Sequence, residues 1–255
     1  MLSLKILGTR VDKVDMVEAL CSIDYFIKEN TFHHIITLNA EIIYQAQFDE
    51  TLKKLINTAE LVTPDGAGVV WASRYLGKPV PERVTGIDLM LKICQQAHHN
   101  NWRIFLLGGV PGVAQEAAEK LRAEYQNINI VGTHHGYFRE KEEVKVIKQI
   151  NDAEPDILFV ALGAPQQEFW INQHREELAA KVAIGVGGSF DVISGRVKRA
   201  PVWVQKMKLE WLARLVREPW RAKRMLSLPK FVMLVIKNKF EEETNNKKER
   251  KRKLP

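Results

Sequence analysis

Apolar residues change their period repeatedly along this chain, and each change marks an element. Residues 4–7 read as a short strand, and residues 11–28 carry Val14, Val17, Ala19, Leu20, Ile23, Phe26 and Ile27 at helical spacing. HHIITL at 33–38 is a second strand, which exits through Thr37, Leu38 and Asn39 into a helix beginning near Ala40. A third strand, 61–62, is cut short by Pro64, whose ring fixes φ and suits the opening of a turn. Asp65 follows, then a helix over 66–76. Two prolines and two glycines in GKPVPERVTGIDLM mark a loop carrying Arg83, with a helix over 87–99 behind it. The clearest buried strand is 102–107, and Gly108-Gly109-Val110-Pro111-Gly112 turns it into an amphipathic helix over 113–125. A strand at 128–132, a loop at 133–138 and a helix at 140–151 make the next unit. A central strand at 156–162 feeds GAPQQE and another helix, and a last strand at 181–187 runs into Gly188-Ser189-Phe190-Asp191.

Repeated βα units of this length predict an α/β fold, a Rossmann-like, mainly parallel sheet with helices on both faces. A closed (β/α) barrel is the competing topology, and the irregular strand spacing counts against it. No repeat of fixed period is present, which excludes solenoids. At 255 residues and 45% hydrophobic content the chain can bury one large core. Its two cysteines, Cys21 and Cys94, are far apart and lack metal-ligand spacing, so a reducing compartment and no zinc site are expected. The first fifteen residues have too short an apolar run for a signal peptide, and no eighteen apolar residues occur in succession. A cytoplasmic location is the expectation.

Charge divides the chain in two. Residues 196–255 hold 19 of the 38 Lys and Arg against 6 Glu, while residues 1–195 hold 19 basic and 25 acidic side chains. We therefore expect an α/β catalytic domain over 1–195 and a basic helical C-terminal appendage over 196–255 with a disordered end. Such a split points to a polyanionic partner, nucleic acid or an anionic membrane surface. Arg214, Arg217, Arg221 and Arg224 recur at three- and four-residue spacing. Trp203, Met207, Trp211, Leu215, Trp220 and Met225 are interleaved with them, and an apolar run follows at 231–236. Basic residues opposite Trp and Leu describe an interfacial helix on anionic lipid, peripheral to the inner face of the cell membrane. No nucleic-acid motif accompanies them, so no nucleic acid is expected as partner. An apolar tail that leaves the membrane could bury itself between two copies of the chain, which makes a homo-oligomer the second partner to consider.

Candidate chemistry gathers at strand exits. Thr37, Asn39, Asp65, Arg83, Gln167 and Asp191 all lie at or just after the carboxyl ends of expected strands or in the loop beside them, and a parallel sheet collects such positions on one rim. Each has a plainer reading. Thr37, Asn39 or Asp65 can cap the helix that follows, Gln167 can sit in the first turn of a solvated helix, and Arg83 can be a surface charge. Gly108 and Gly109 lack the spacing of a dinucleotide fingerprint, which disfavours NAD, and a P-loop motif is absent. A glycine turn at a helix start can present N–H groups to a diphosphate or simply reverse the chain, and both readings stand. A lone carboxylate at a pocket rim suits a general base.

These residues fall in TLNAEII (37–43), TPDGAGVVW (63–71), RVTGID (83–88), FLLGG (105–109), GAPQQEFW (163–170) and GVGGSFDVISG (185–195). In that order, over nearly the whole chain, they resemble the WecG/TagA/CpsF family of glycosyltransferases, and most closely its TagA-type members. The resemblance implies transfer of N-acetylmannosamine from a UDP-sugar to a lipid-linked diphosphate acceptor, undecaprenyl-diphosphate-linked N-acetylglucosamine, with inversion to a β-1,4 linkage in wall teichoic acid assembly. It implies Asp65 as the base and Thr37, Asn39 and Gln167 as sugar and diphosphate contacts. The chain contains no Asp-x-Asp, so no metal cofactor is expected. Leaving-group charge then falls to cations and backbone donors: Arg83, the tail arginines, and the turn at Gly108 and Gly109. Tyr137 and Asp191 are candidates for the nucleoside, by ring stacking and by a ribose hydroxyl bond. Readings that compete are another UDP-hexose donor, an epimerase, which would need a redox cofactor or a catalytic Tyr-Lys pair, and a non-catalytic module tethering to membrane or nucleic acid.

Overall fold

A computed structural model describes residues 2–29, 31–201, 204 and 226–252. Two short strands, β1 (Ser3–Ile6) and β2 (Thr9–Asp12), form an antiparallel hairpin. The main sheet comprises β3 (His33–Leu38), β4 (Leu61–Pro64), β5 (Arg103–Gly108), β6 (Asn129–His134), β7 (Ile157–Ala161) and β8 (Val182–Gly185). All its pairings are parallel, in the order β4-β3-β8-β7-β5-β6. It is open, so the barrel alternative falls. The hairpin corrects the reading of residue 11 as helical. Leu7 and Gly8 both take positive φ (52° and 79°), as a type I′ turn requires, and this returns Val11 to pair with Leu4. Asp12 then ties the hairpin to the sheet, its Oδ2 accepting from the Val62 amide at 2.8 Å.

The first helix, α1 (Met16–Glu29), starts after this hairpin. The stretch read as one helix from Ala40 is two, α2 (Ala40–Gln45) and α3 (Glu50–Thr58), because Asp49 caps the second through the Leu52 amide. Then come α4 (Ala67–Tyr75), α5 (Gly86–Asn100), α6 (Val113–Glu124), α7 (Glu140–Asp152), α8 (Gln166–Gln173), α9 (Ser189–Ile193) and α10 (Ser227–Arg252).

Alternation along the strands builds two cores. Ile35, Ile104, Leu106, Phe159 and Ile184 face α1, α5 and α6, and Phe190 of α9 joins them. Ile36 and Leu38 pack with α2, α3 and α4, while Phe105, Leu107, Leu158 and Val160 pack with α7 and α8. Both faces are therefore covered, as near-continuous apolar strands require. α10 docks on the second face, with Phe231 and Val235 buried in the cluster of α2 and α4. The apolar run at 231–236 thus splits: Met233 and Ile236 stay exposed, with Phe240 beyond them. Arg214, Arg217, Arg221 and Arg224 lie outside the described residues.

Helices after β3 and β8 leave toward opposite faces, and so do those after β5 and β7. Each divergence opens a crevice at the carboxyl edge of the sheet, where open α/β folds place ligands.

Candidate functional site

Asp65 stands one residue past β4. Its amide donates to the Leu38 carbonyl at 2.9 Å, which extends the β3–β4 ladder to the carboxylate. The helix behind it, α4, takes Gly66 as its N-cap with no side-chain cap bond, so Asp65 is not that helix's cap. Its Oδ2 instead accepts from the Gly86 amide at 3.3 Å, the first residue of α5. Three consecutive constraints fix this approach. Val84 donates to the Pro64 carbonyl, Thr85 caps α5 through Asp88, and Gly86 presses against Thr37, where a Cβ would come within 3.2 Å of Oγ1. The half-buried acid therefore meets the positive end of the α5 dipole. Arg83 is half-buried in the same loop, next to the tethered Val84.

Thr37, near the end of β3, is buried, and its hydroxyl donates to the Gly185 carbonyl of β8 at 2.8 Å. Asn39 caps α2, its Oδ1 accepting from Ile42 at 3.1 Å, and its Cβ lies beside Gly66. The plainer reading of Asn39 as a cap is thus realised, and it leaves the Nδ2 group as the side chain's donor at the rim. Gln167 is buried rather than solvated, 2% exposed in the first turn of α8. Its Oε1 accepts from the Gly187 amide at 3.0 Å and its Nε2 donates to Glu168 Oε1 at 2.8 Å. Thr37, Asn39, Asp65, Arg83 and Gln167 therefore converge on one patch of the rim, around the ends of β3, β4 and β8.

The other candidates sit further along the edge. Gly108 ends β5 at φ 137°, where a Cβ would come 2.4 Å from the Ala161 carbonyl. Gly109 donates its amide to that same carbonyl, and its own carbonyl accepts from Gly136. The turn is thus required by close strand approach, and the Gly109 N–H is engaged within the sheet. Tyr137 follows on the adjoining loop, 70% exposed, with its ring open to stack. Asp191 is half-buried in α9, and its carbonyl accepts from Val197.

Sequence reasoning quoted Glu168 only as part of a motif. It is fully buried on α8, and burial pushes its carboxyl up to about 7. An acid in the first turn of a helix normally reads as a solvated partner of the dipole, so nothing in the local pattern marks it. Among the described residues, no group of three or more His, Cys, Asp or Glu side chains could hold a metal ion.

An open parallel sheet whose carboxyl edge gathers one fixed acid, an arginine and a set of side-chain amides and hydroxyls defines a Rossmann-like ligand-binding domain. The chain belongs to the WecG/TagA/CpsF family of glycosyl transferases, whose model matches residues 4–245. It is similar to proteins named N-acetylglucosaminyldiphosphoundecaprenol N-acetyl-beta-D-mannosaminyltransferase. In Bacillus subtilis strain 168 the identity is 40% over 223 residues, covering 88% of this chain and 85% of the relative. The Bacillus spizizenii protein is 38% identical over 213 residues, 84% and 82% of the two chains. In Staphylococcus aureus strain MRSA252 the identity is 37% over 236 residues, 92% of each chain.

Proposed function

We propose that this protein moves N-acetylmannosamine from UDP-N-acetylmannosamine to the 4-hydroxyl of N-acetylglucosamine carried on undecaprenyl diphosphate, in wall teichoic acid assembly. The acceptor oxygen attacks the anomeric carbon from the face opposite the nucleotide. The bond from that carbon to the diphosphate breaks, UDP departs with the electron pair, and Asp65 takes the hydroxyl proton. One displacement inverts the anomeric centre and leaves a β linkage. The observation that carries the reading is the placement of Asp65, a half-buried carboxylate held by the Gly86 amide at the sheet's edge, in a chain 37–40% identical to relatives of that name. Its Oδ1 is the oxygen assigned to the proton.

No metal takes part in this scheme. Arg83 and arginines of the tail oppose the charge that grows on the departing diphosphate. Thr37, Asn39 and Gln167 hold the sugar and diphosphate, and Tyr137 and Asp191 the nucleoside. The enzyme works as a peripheral protein on the inner membrane face, where its acceptor lies. No described helix is long and apolar enough to cross a membrane. The exposed side of α10, with Met233, Ile236, Phe240 and Lys237, favours lipid contact, as does the basic composition of residues 196–255.

Asp65→Asn tests the mechanism, because an amide oxygen can still accept from Gly86 while it cannot take the proton. Turnover with UDP-N-acetylmannosamine and a short-chain lipid-diphosphate acceptor should fall about 10²–10⁴-fold, with UDP affinity nearly unchanged. Unaltered turnover would overturn the assignment of the base. A panel of UDP-sugars on the wild-type protein tests the donor, and preference for another hexose would replace N-acetylmannosamine.

A further inference from the structure

Glu168 is an acid in an unusual position. It is fully buried, its Oε1 accepts from Gln167 Nε2 at 2.8 Å, and its Oε2 has no hydrogen-bond partner among the described residues. None of the ion pairs described includes it. An ionised carboxylate without a counter-charge is costly in such a place, and a leucine of similar volume would avoid that cost. The core alone gives no reason for an acid here, and its bond to the Gln167 side chain shows what it contributes.

Gln167 has two chemically distinct ends that look alike in shape. Its Oε1 must face the Gly187 amide and its Nε2 must face Glu168, so a donor on one side and an acceptor on the other select one of two amide orientations. Gly187 belongs to the turn that follows β8, with φ 53°. Gly185, two residues earlier, lies so close that a Cβ would meet Gln167 Nε2 at 2.5 Å and Glu168 Oε1 at 2.9 Å. The Gly185 carbonyl in turn receives the Thr37 hydroxyl. We propose that Glu168 is a positioning residue which, by accepting from Gln167 Nε2, fixes the orientation of the Gln167 amide and leaves its second Nε2 hydrogen available to substrate. This rests on the reading above only in taking Gln167 as a donor-sugar or diphosphate contact. The orientation itself is a property of the free protein.

Three variants test it. Glu168→Gln retains a carbonyl oxygen to accept from Nε2, whereas Glu168→Leu removes the acceptor and keeps the bulk. With UDP-N-acetylmannosamine, Glu168→Leu should lose at least tenfold in kcat/KM, mostly as a raised donor KM, and Glu168→Gln less than threefold. In a Gln167→Ala background Glu168→Leu should add no further loss, since its effect passes through the amide. Equal losses for the Leu and Gln variants, or full additivity with Gln167→Ala, would overturn the proposal. A readout without turnover separates this from failure of the donor reading. In ¹⁵N-glutamine-labelled protein, the Gln167 side-chain NH₂, assigned by its absence in Gln167→Ala, should be protected from hydrogen exchange in wild type and Glu168→Gln. Glu168→Leu should exchange it at least tenfold faster with its melting transition still cooperative. Unchanged protection in that variant refutes the positioning role whatever sugar the enzyme uses, and loss of protection with no transfer from UDP-N-acetylmannosamine in wild type sinks the donor alone.

Discussion

The bond between Thr37 and Gly185 joins β3 to β8 at the rim, and Thr37→Val isolates it. Valine has nearly the same shape, so the pocket formed by Gly86, whose Cβ position lies 3.5 Å from Thr37 Cγ2, stays filled and no cavity opens. What disappears is one hydroxyl donating at 2.8 Å from a side chain 5% exposed. Losing such a bond while its partner stays buried costs about 1–3 kcal/mol. For a chain of this size each kcal/mol moves the thermal midpoint by about 2–4 °C, so a fall of roughly 2–12 °C is expected. Differential scanning fluorimetry on the full chain reads it, with Thr37→Ser, which keeps the hydroxyl, as the control for donor KM. A Thr37→Val midpoint equal to wild type would show that the Gly185 carbonyl finds another donor and that the rim is not braced by this bond.

Gly108→Ala forces a Cβ to within 2.4 Å of the Ala161 carbonyl at φ 137°; separating β5 from β7 should cost on the order of 2 kcal/mol or more, seen as a lower thermal midpoint. Phe231→Ala removes a fully buried ring from the α10 contact and should cost about 3–5 kcal/mol, with faster amide exchange along α10 as the local signature. Glu168, pushed up to about 7 from an ordinary 4.5 by burial, binds its proton in the folded state where the unfolded chain has lost it. Its contribution is therefore fully present at low pH and is lost as pH rises from about 4.5 through 7, by roughly 3 kcal/mol. Urea midpoints at pH 5 and pH 8 should show Glu168→Gln gaining on wild type as pH rises; a constant gap would contradict the shift. His34, lowered by burial to about 3 from 6.5, acts in the opposite sense, so stability should fall as pH drops from about 6.5 toward 3, and His34→Gln should flatten that slope in the same melts.

The parallel sheet was legible because buried strands such as 33–38 and 157–161 are nearly continuous apolar runs separated by amphipathic helices. The exit positions of those strands, with that of the short strand at 61–64, mark Thr37, Asn39, Asp65 and Gln167 as candidates without coordinates. The hairpin was missed because Val11 and Val14 fit a helical stripe as well as a strand, and the deciding feature is a positive φ at Leu7, a non-glycine residue that signals nothing in sequence. Glu168 was missed for a related reason. Periodicity reports which face of a helix is apolar, but the face of α8 packed among β3, β7, β8 and α3 carries Gln167 and Glu168 beside Trp170 and Ile171, so polar residues also point inward.

Inward-pointing polar groups of this kind also make up the site proposed for this protein. In isolation each of them had a structural reading, and the structure grants much of it: the Thr37 hydroxyl binds Gly185, Asn39 Oδ1 caps α2, Asp65 Oδ2 binds Gly86, and both ends of Gln167 are engaged. In the proposed function a structural role does not compete with a binding one, because the Thr37, Asn39 and Gln167 side chains each have a further lone pair or hydrogen beyond the one the brace consumes. The Thr37 oxygen still accepts, Asn39 still donates through Nδ2, and Gln167 keeps one Nε2 hydrogen. A ligand at this rim meets groups whose orientations are fixed before it arrives, so less ordering is required on binding. The bonds that hold the loops to the sheet are the ones that aim the remaining atoms, and a substitution that breaks a brace should therefore appear in binding as well as in stability.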